Sequence, residues 1–142
     1  MFAAMKNPIS AYQRTNVELG VESANPHKLI LMLFEGAQLA LSKAKMHIQK
    51  DEIAGKGEML SKAIMIIDNG LKASLDTNVG GDMAFQLQAL YDYMTNRLLI
   101  ANLNNDPEII NEVNGLLSEL YSAWKAIGDS NEAIQAVKTS AI

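Results

Sequence analysis

The residues that could do chemistry are few: two histidines, sixteen carboxylates and no cysteine in 142 residues. Without a thiol there is no disulfide, no thiolate nucleophile and no Cys-ligated metal. No serine sits in a G-x-S-x-G elbow. Gly55-Lys56-Gly57 lacks the spacing of a phosphate-binding loop and has no preceding strand. A di-iron site in a helical bundle needs Glu-x-x-His pairs; alanines, Ala24 and Ala44, stand three residues before His27 and His47. Phosphotransfer needs an exposed mid-helix histidine with a nearby lysine. His47, with Lys43 before it and Lys50 after it, is the best candidate and the alternative reading of this chain. Asp51, however, follows Lys50 where that pattern has glycine. Glu35 and Asp92 lie between apolar residues and are expected to meet solvent or a donor. Arg97 is expected to pair with Asp92 or with an acid on the next helix. The reading is no catalytic residue, no metal and no cofactor.

The bulk numbers agree. Hydrophobic residues make up 49% and charged residues 20%, with a formal charge of −4 and a pI near 5.1. Two scattered arginines and an acidic balance exclude an electrostatic nucleic-acid surface. The longest compact apolar run, Leu29–Phe34, is far short of a membrane span. No secretory signal is visible, so a soluble cytoplasmic chain without membrane insertion is expected.

The positioning elements read as helices. Asn25-Pro26 and Asp106-Pro107 are cap-plus-proline starts. Between them run three stripes at alternating spacings of four and three: Ile30 to Ile48, Leu60 to Leu75, and Leu87, Leu90, Met94, Leu98 and Ala101. A fourth, Val113, Leu117, Leu120, Trp124 and Ile127, ends at Gly128. The second helix is expected to stop near Asp76–Gly81 and the third to begin near Met83. Gly36 is expected to mark a close helix approach and Gly70 only to loosen its helix. The prediction is all-α: an antiparallel four-helix bundle over 25–128, preceded by an arm, 1–24, and followed by a short tail, 129–142, with the makings of one weak helix.

One feature of the pattern is unusual. Tyr93, Leu99, Ile100 and Leu103 lie away from the third helix's core stripe. A surface helix of a small bundle normally has one apolar stripe, so a second face implies a central helix or a partner. Leu31 and Met32 on the first helix, and Met65 on the second, are also off their core stripes. These seven residues are the candidate partner contacts. A partner helix would be held by anchors at i, i+3, i+4 and i+7. The other reading of this face is burial by the arm, the tail or a second copy, and a homodimer is among the partners expected.

Several ordered blocks carry a resemblance. NPHKLILMLFEGAQLALSKAK (Asn25–Lys45), IAGKGEMLSKAIMIIDNGLKASLD (Ile53–Asp76), LYDYMTNRLLIANLNND (Leu90–Asp106) and EVNGLLSELYSAWKAI (Glu112–Ile127), with ISAYQRTNVE upstream, resemble the FliS family of flagellar export chaperones. Phe2 and Phe34 stand where the family often has Tyr. The resemblance implies a cytoplasmic bundle without enzymatic activity. Its implied client is the disordered C-terminal segment of flagellin, kept from premature polymerisation. Delivery to a membrane protein of the type III export gate is implied through Ile9 and Tyr12. It also implies that the N-terminal arm can cover part of the client groove.

Overall fold

In a computed structural model of the chain, residues 25–128 are described and form four helices. They are α1 (Pro26–Gln49), α2 (Ile53–Met65), α3 (Thr77–Asn104) and α4 (Pro107–Ile127), with a π-helical segment, Ile66–Lys72, continuing α2. The arm, including Ile9 and Tyr12, and the tail lie outside the described residues. Short connections force each helix to run antiparallel to the one before it. α1 packs on α2 and α4; α3 packs on α4 and on the limb formed by α2 and the π segment. α1 and α3 are therefore diagonal.

The helix starts follow from local hydrogen bonding. The Asn25 side chain accepts from the Lys28 N–H at 2.8 Å, and Pro26 takes the first turn. Asp106 accepts from the Glu108 N–H at 2.9 Å before Pro107. Asp76 accepts from the N–H groups of Asn78 and Val79 at 3.0 and 3.1 Å. Each supplies an acceptor for donors that have no intrahelical partner.

The core joins the four expected stripes. Phe34, Leu41, Leu60, Ile67, Leu71, Met94, Leu98, Val113 and Leu117 are fully buried. Phe34 meets Tyr121 edge-on, with ring centroids 6.4 Å apart. Tyr91, off the expected stripe, is also buried, and burial pushes its phenol pKa up.

Three details differ from expectation. First, α3 starts at Thr77, and Asn78 and Gly80 are helical. The break falls on Gly81 alone, at φ 58° and ψ −139°, a conformation that glycine adopts without steric cost. Second, the π segment interrupts what reads as a regular α pattern. Its widened turn carries Gly70 against α1, where a β-carbon would meet Leu33 Cδ2 at 3.1 Å. Third, Gly70 and not Gly36 is the tight contact: at Gly36 the nearest atom, Ile66 Cδ1, would lie at an ordinary 3.5 Å. Periodicity reports which face is buried but not how closely two backbones approach.

Candidate partner-binding surface

The buried stripe Leu87, Tyr91, Met94, Leu98 and Ala101 sets the rotation of α3, and polar ties to both neighbours flank it. On one flank, Lys72 donates to Asp92 at 2.6 Å and also lies 3.6 Å from Asp68. The bond to Asp92 raises the Lys72 pKa. On the other flank, Glu112 of α4 accepts from Arg97 Nε at 2.9 Å and from the Tyr93 hydroxyl. Those two donors hold the Glu112 carboxyl below its usual range, and the same bonds raise the pKa of Tyr93 and of Arg97. Arg97 thus pairs with the next helix, and Asp92 with the π segment.

The ties locate the second apolar face. Ile100 is seven residues after Tyr93 and shares its flank, facing α4; Leu99 is seven after Asp92 and shares the flank facing the π segment. Leu103 lies between them on the outermost line and is 82% exposed. Tyr93, Leu99 and Ile100 are exposed as well. α3 is not a central helix: its second face is open among the described residues.

The other candidates lie elsewhere. Leu31 and Met32 are half-buried on α1, diagonal to α3. Met65 lines an open depression of about 400 Å³ on α2 with Glu58, Met59, Ser61 and Lys62. With α1 diagonal to α3, Leu31 and Met32 stand apart from the α3 candidates. Sequence reading missed Leu39 and Met46, both exposed. With Met32 they form a column at seven-residue spacing opposite the α1 core stripe, so the signal was present.

The groups considered for chemistry are engaged in ties. His47 Nδ1 is 2.9 Å from Glu52 Oε1, and its ring packs on Gly55. His27 is buried beside Trp124, with Nε2 bonded to the Trp124 carbonyl at the end of α4. Glu35 accepts from the Tyr121 hydroxyl at 2.7 Å. Lys56, only 5% exposed, donates to the Asn102 carbonyl at 2.9 Å and to the Asn105 side chain, capping the end of α3. That places a cation where the helix dipole favours one. Among the described residues no cluster of three or more His, Asp or Glu is placed to hold a metal ion, and no helix is long and apolar enough to cross a membrane.

Fold and surface together define a small four-helix bundle that turns a set of large apolar side chains outward on several faces. Comparison with known proteins narrows the class. The chain belongs to the family described as flagellar protein FliS, whose model matches residues 6–131. It is 56% identical over 119 residues to the flagellar secretion chaperone FliS of Salmonella typhimurium, covering 84% of this chain and 88% of that one. It is 45% identical over 115 residues to that of Escherichia coli, covering 81% and 85%. Against the chaperone FliSB of Pseudomonas aeruginosa it is 41% identical over 124 residues, covering 87% and 97%.

Proposed function

We propose that this chaperone binds the disordered C-terminal segment of flagellin in the cytoplasm, prevents its premature polymerisation and hands it to the type III export gate, without catalysing a reaction. The observation that carries this reading is the open second face of α3, with Tyr93, Ile100 and Leu103 exposed in a chain of the FliS family.

Energetics favour a spread-out client. Fully burying one large apolar side chain contributes roughly 1.5–3 kcal/mol. Ordering a disordered segment costs about 2–5 kcal/mol or more. A micromolar complex needs about −8 kcal/mol net, so several anchors on separate faces are required. Leu31 and Met32 on α1, Met65 on α2, and Leu99, Ile100 and Leu103 on α3 supply shallow sites around the bundle. A client wrapping across helices would use them one after another.

Calorimetry with a flagellin C-terminal peptide tests this reading, and no binding at micromolar concentration sinks it. Delivery through Ile9 and Tyr12 predicts that removing residues 1–15 impairs export but leaves peptide affinity unchanged. Sedimentation without client separates a homodimer that buries the α3 face from a monomer that leaves it open.

A further inference from the structure

The α1–α2 hairpin is the basic part of an acidic chain. Residues 25–65 carry six lysines against four acids, a net charge of +2; residues 66–128 carry three cations against eight acids, a net charge of −5. On the acidic side, Asp68, Asp92 and Glu112 are paired with Lys72 and Arg97. On the basic side, Lys28, Lys43, Lys50 and Lys62 are exposed, and none makes an ion pair with another described residue.

These lysines border apolar side chains. Met32, Leu39 and Met46 run down the outer face of α1, and Leu39 and Met46 are exposed. Lys43 and Lys50 follow Leu39 and Met46 by four residues, so each lies one turn on, beside the column. Gly36 stands in the same line, and a β-carbon there would meet Ile66; the line is therefore the margin of α1 next to the α2 limb. Gly55 against His47 and Gly70 against Leu33 fix the register of the hairpin. That register brings Met59 level with Lys43, and Lys62 level with Leu39. Met59 and Lys62 also line the depression on α2. The opposite margin of the column, three residues after each member, carries Glu35, Ser42 and Gln49, and Glu35 is bonded to Tyr121. Unpaired positive charge thus lies along one side of an open apolar column.

We propose that the outer face of the α1–α2 hairpin docks an amphipathic helix of a partner protein whose apolar stripe is flanked by carboxylates. The column from Met32 to Met46 is about 21 Å long, the length of a partner helix of about four turns. Apolar anchors of that helix pack on Met32, Leu39 and Met46, and its carboxylates meet Lys43, Lys50 and Lys62. Two of the three column residues are methionines, which repack cheaply around anchors of different shape. Charge selects this occupant over the others. Residues 1–24 carry two acids and two cations, and residues 129–142 two acids and one lysine, so neither end of the chain supplies an acidic run. The overall charge of −4 opposes an anionic bilayer. Met32 alone is shared with the proposed flagellin contacts, and α1 is diagonal to α3; the site is distinct from the open face of α3.

The test uses no flagellin, so its failure is distinct from failure of the flagellin reading. Two synthetic helices of about 20 residues share leucines at i, i+3, i+4 and i+7; one has glutamates on both flanks and the other lysines. In calorimetry with the full chain the glutamate helix should bind at micromolar concentration, and the lysine helix at least about tenfold more weakly. Replacing Lys43→Glu and Lys50→Glu together should reverse that preference, a rescue that mere loss of structure would not give. Leu39→Asn should weaken the glutamate helix about tenfold. All three positions are exposed, so helix content should be unchanged. Equal affinity for the two helices, or no binding at about 100 μM, overturns the proposal. So does binding that appears only after residues 1–24 or 129–142 are deleted, which makes an end of the chain the cover. A dimer that Leu39→Asn dissolves in sedimentation overturns it in favour of a second copy. Leu39-dependent binding to phosphatidylglycerol vesicles without binding of the glutamate helix overturns it in favour of a membrane surface.

Discussion

Tyr93 on α3 donates its phenolic hydrogen to Glu112 on α4, so the flank of α3 that carries Tyr93 and Ile100 faces α4. Arg97 holds the other oxygen of the same carboxylate at 2.9 Å. Two donors on one helix, four residues apart, thus grip one acceptor on the next, beside the buried stripe that sets the rotation of α3. The exposed positions of Ile100 and Leu103 follow from that rotation.

The tie carries a pH signature. The folded-state pKa of Glu112 lies below its ordinary value because Tyr93 and Arg97 bond the ionised form. A depressed carboxylate pKa contributes stability that is complete above the unfolded-state value and is lost as pH falls through the folded one. Glu112→Gln should therefore be less stable than the natural chain at pH 7, with the gap closing below pH ~4. Urea midpoints measured between pH 3 and pH 7 check this.

Ile100 reports on the surface without reporting on the fold. It is exposed, so Ile100→Asp should leave helix content and the urea midpoint nearly unchanged. Loss of one anchor of roughly 1.5–3 kcal/mol should weaken binding of a flagellin C-terminal peptide by about ten- to a hundredfold. Unaltered affinity in calorimetry would remove Ile100 from the client contacts.

Two glycines should respond in opposite directions. At Gly70 a new β-carbon would meet Leu33 Cδ2 at 3.1 Å, and overpacking of this kind costs typically 1–3 kcal/mol. At Gly115 nothing lies within 4 Å, so only the helical preference of alanine remains, a gain of about 0.5–1 kcal/mol. Chemical denaturation of Gly70→Ala and Gly115→Ala should give shifts of opposite sign.

Lys56, in the first turn of α2, should matter for stability. Its buried ammonium satisfies the Asn102 carbonyl and the Asn105 side chain at the left-handed end of α3. Lys56→Met keeps the length of the stem but strands those acceptors, at a cost of about 1–3 kcal/mol. Hydrogen exchange at the last turn of α3 should rise with the loss of stability.

Much of this protein is legible in one dimension. Spacings of four and three name the buried faces, because a 3.6-residue turn repeats them. Asn25-Pro26, Asp106-Pro107 and Gly128 mark helix ends, because caps and backbone freedom are local properties. The second apolar face of α3 is legible for the same reason, and the ordered blocks point to the family. Tertiary structure decides what depends on relations between helices. The tie of Tyr93 and Arg97 to Glu112, the approach of Gly70 to Leu33 and the capping role of Lys56 join residues that are distant along the chain. The π turn at Ile66–Lys72 and the placement of Gly81 as the sole break in α3 come from accommodating neighbours, which a helical repeat does not encode. The seven candidate contacts were read as one set because each is apolar and off its own core stripe. Only the packing order, with α1 diagonal to α3, separates Leu31 and Met32 from the α3 residues, because which side of a helix is free depends on the helices beside it.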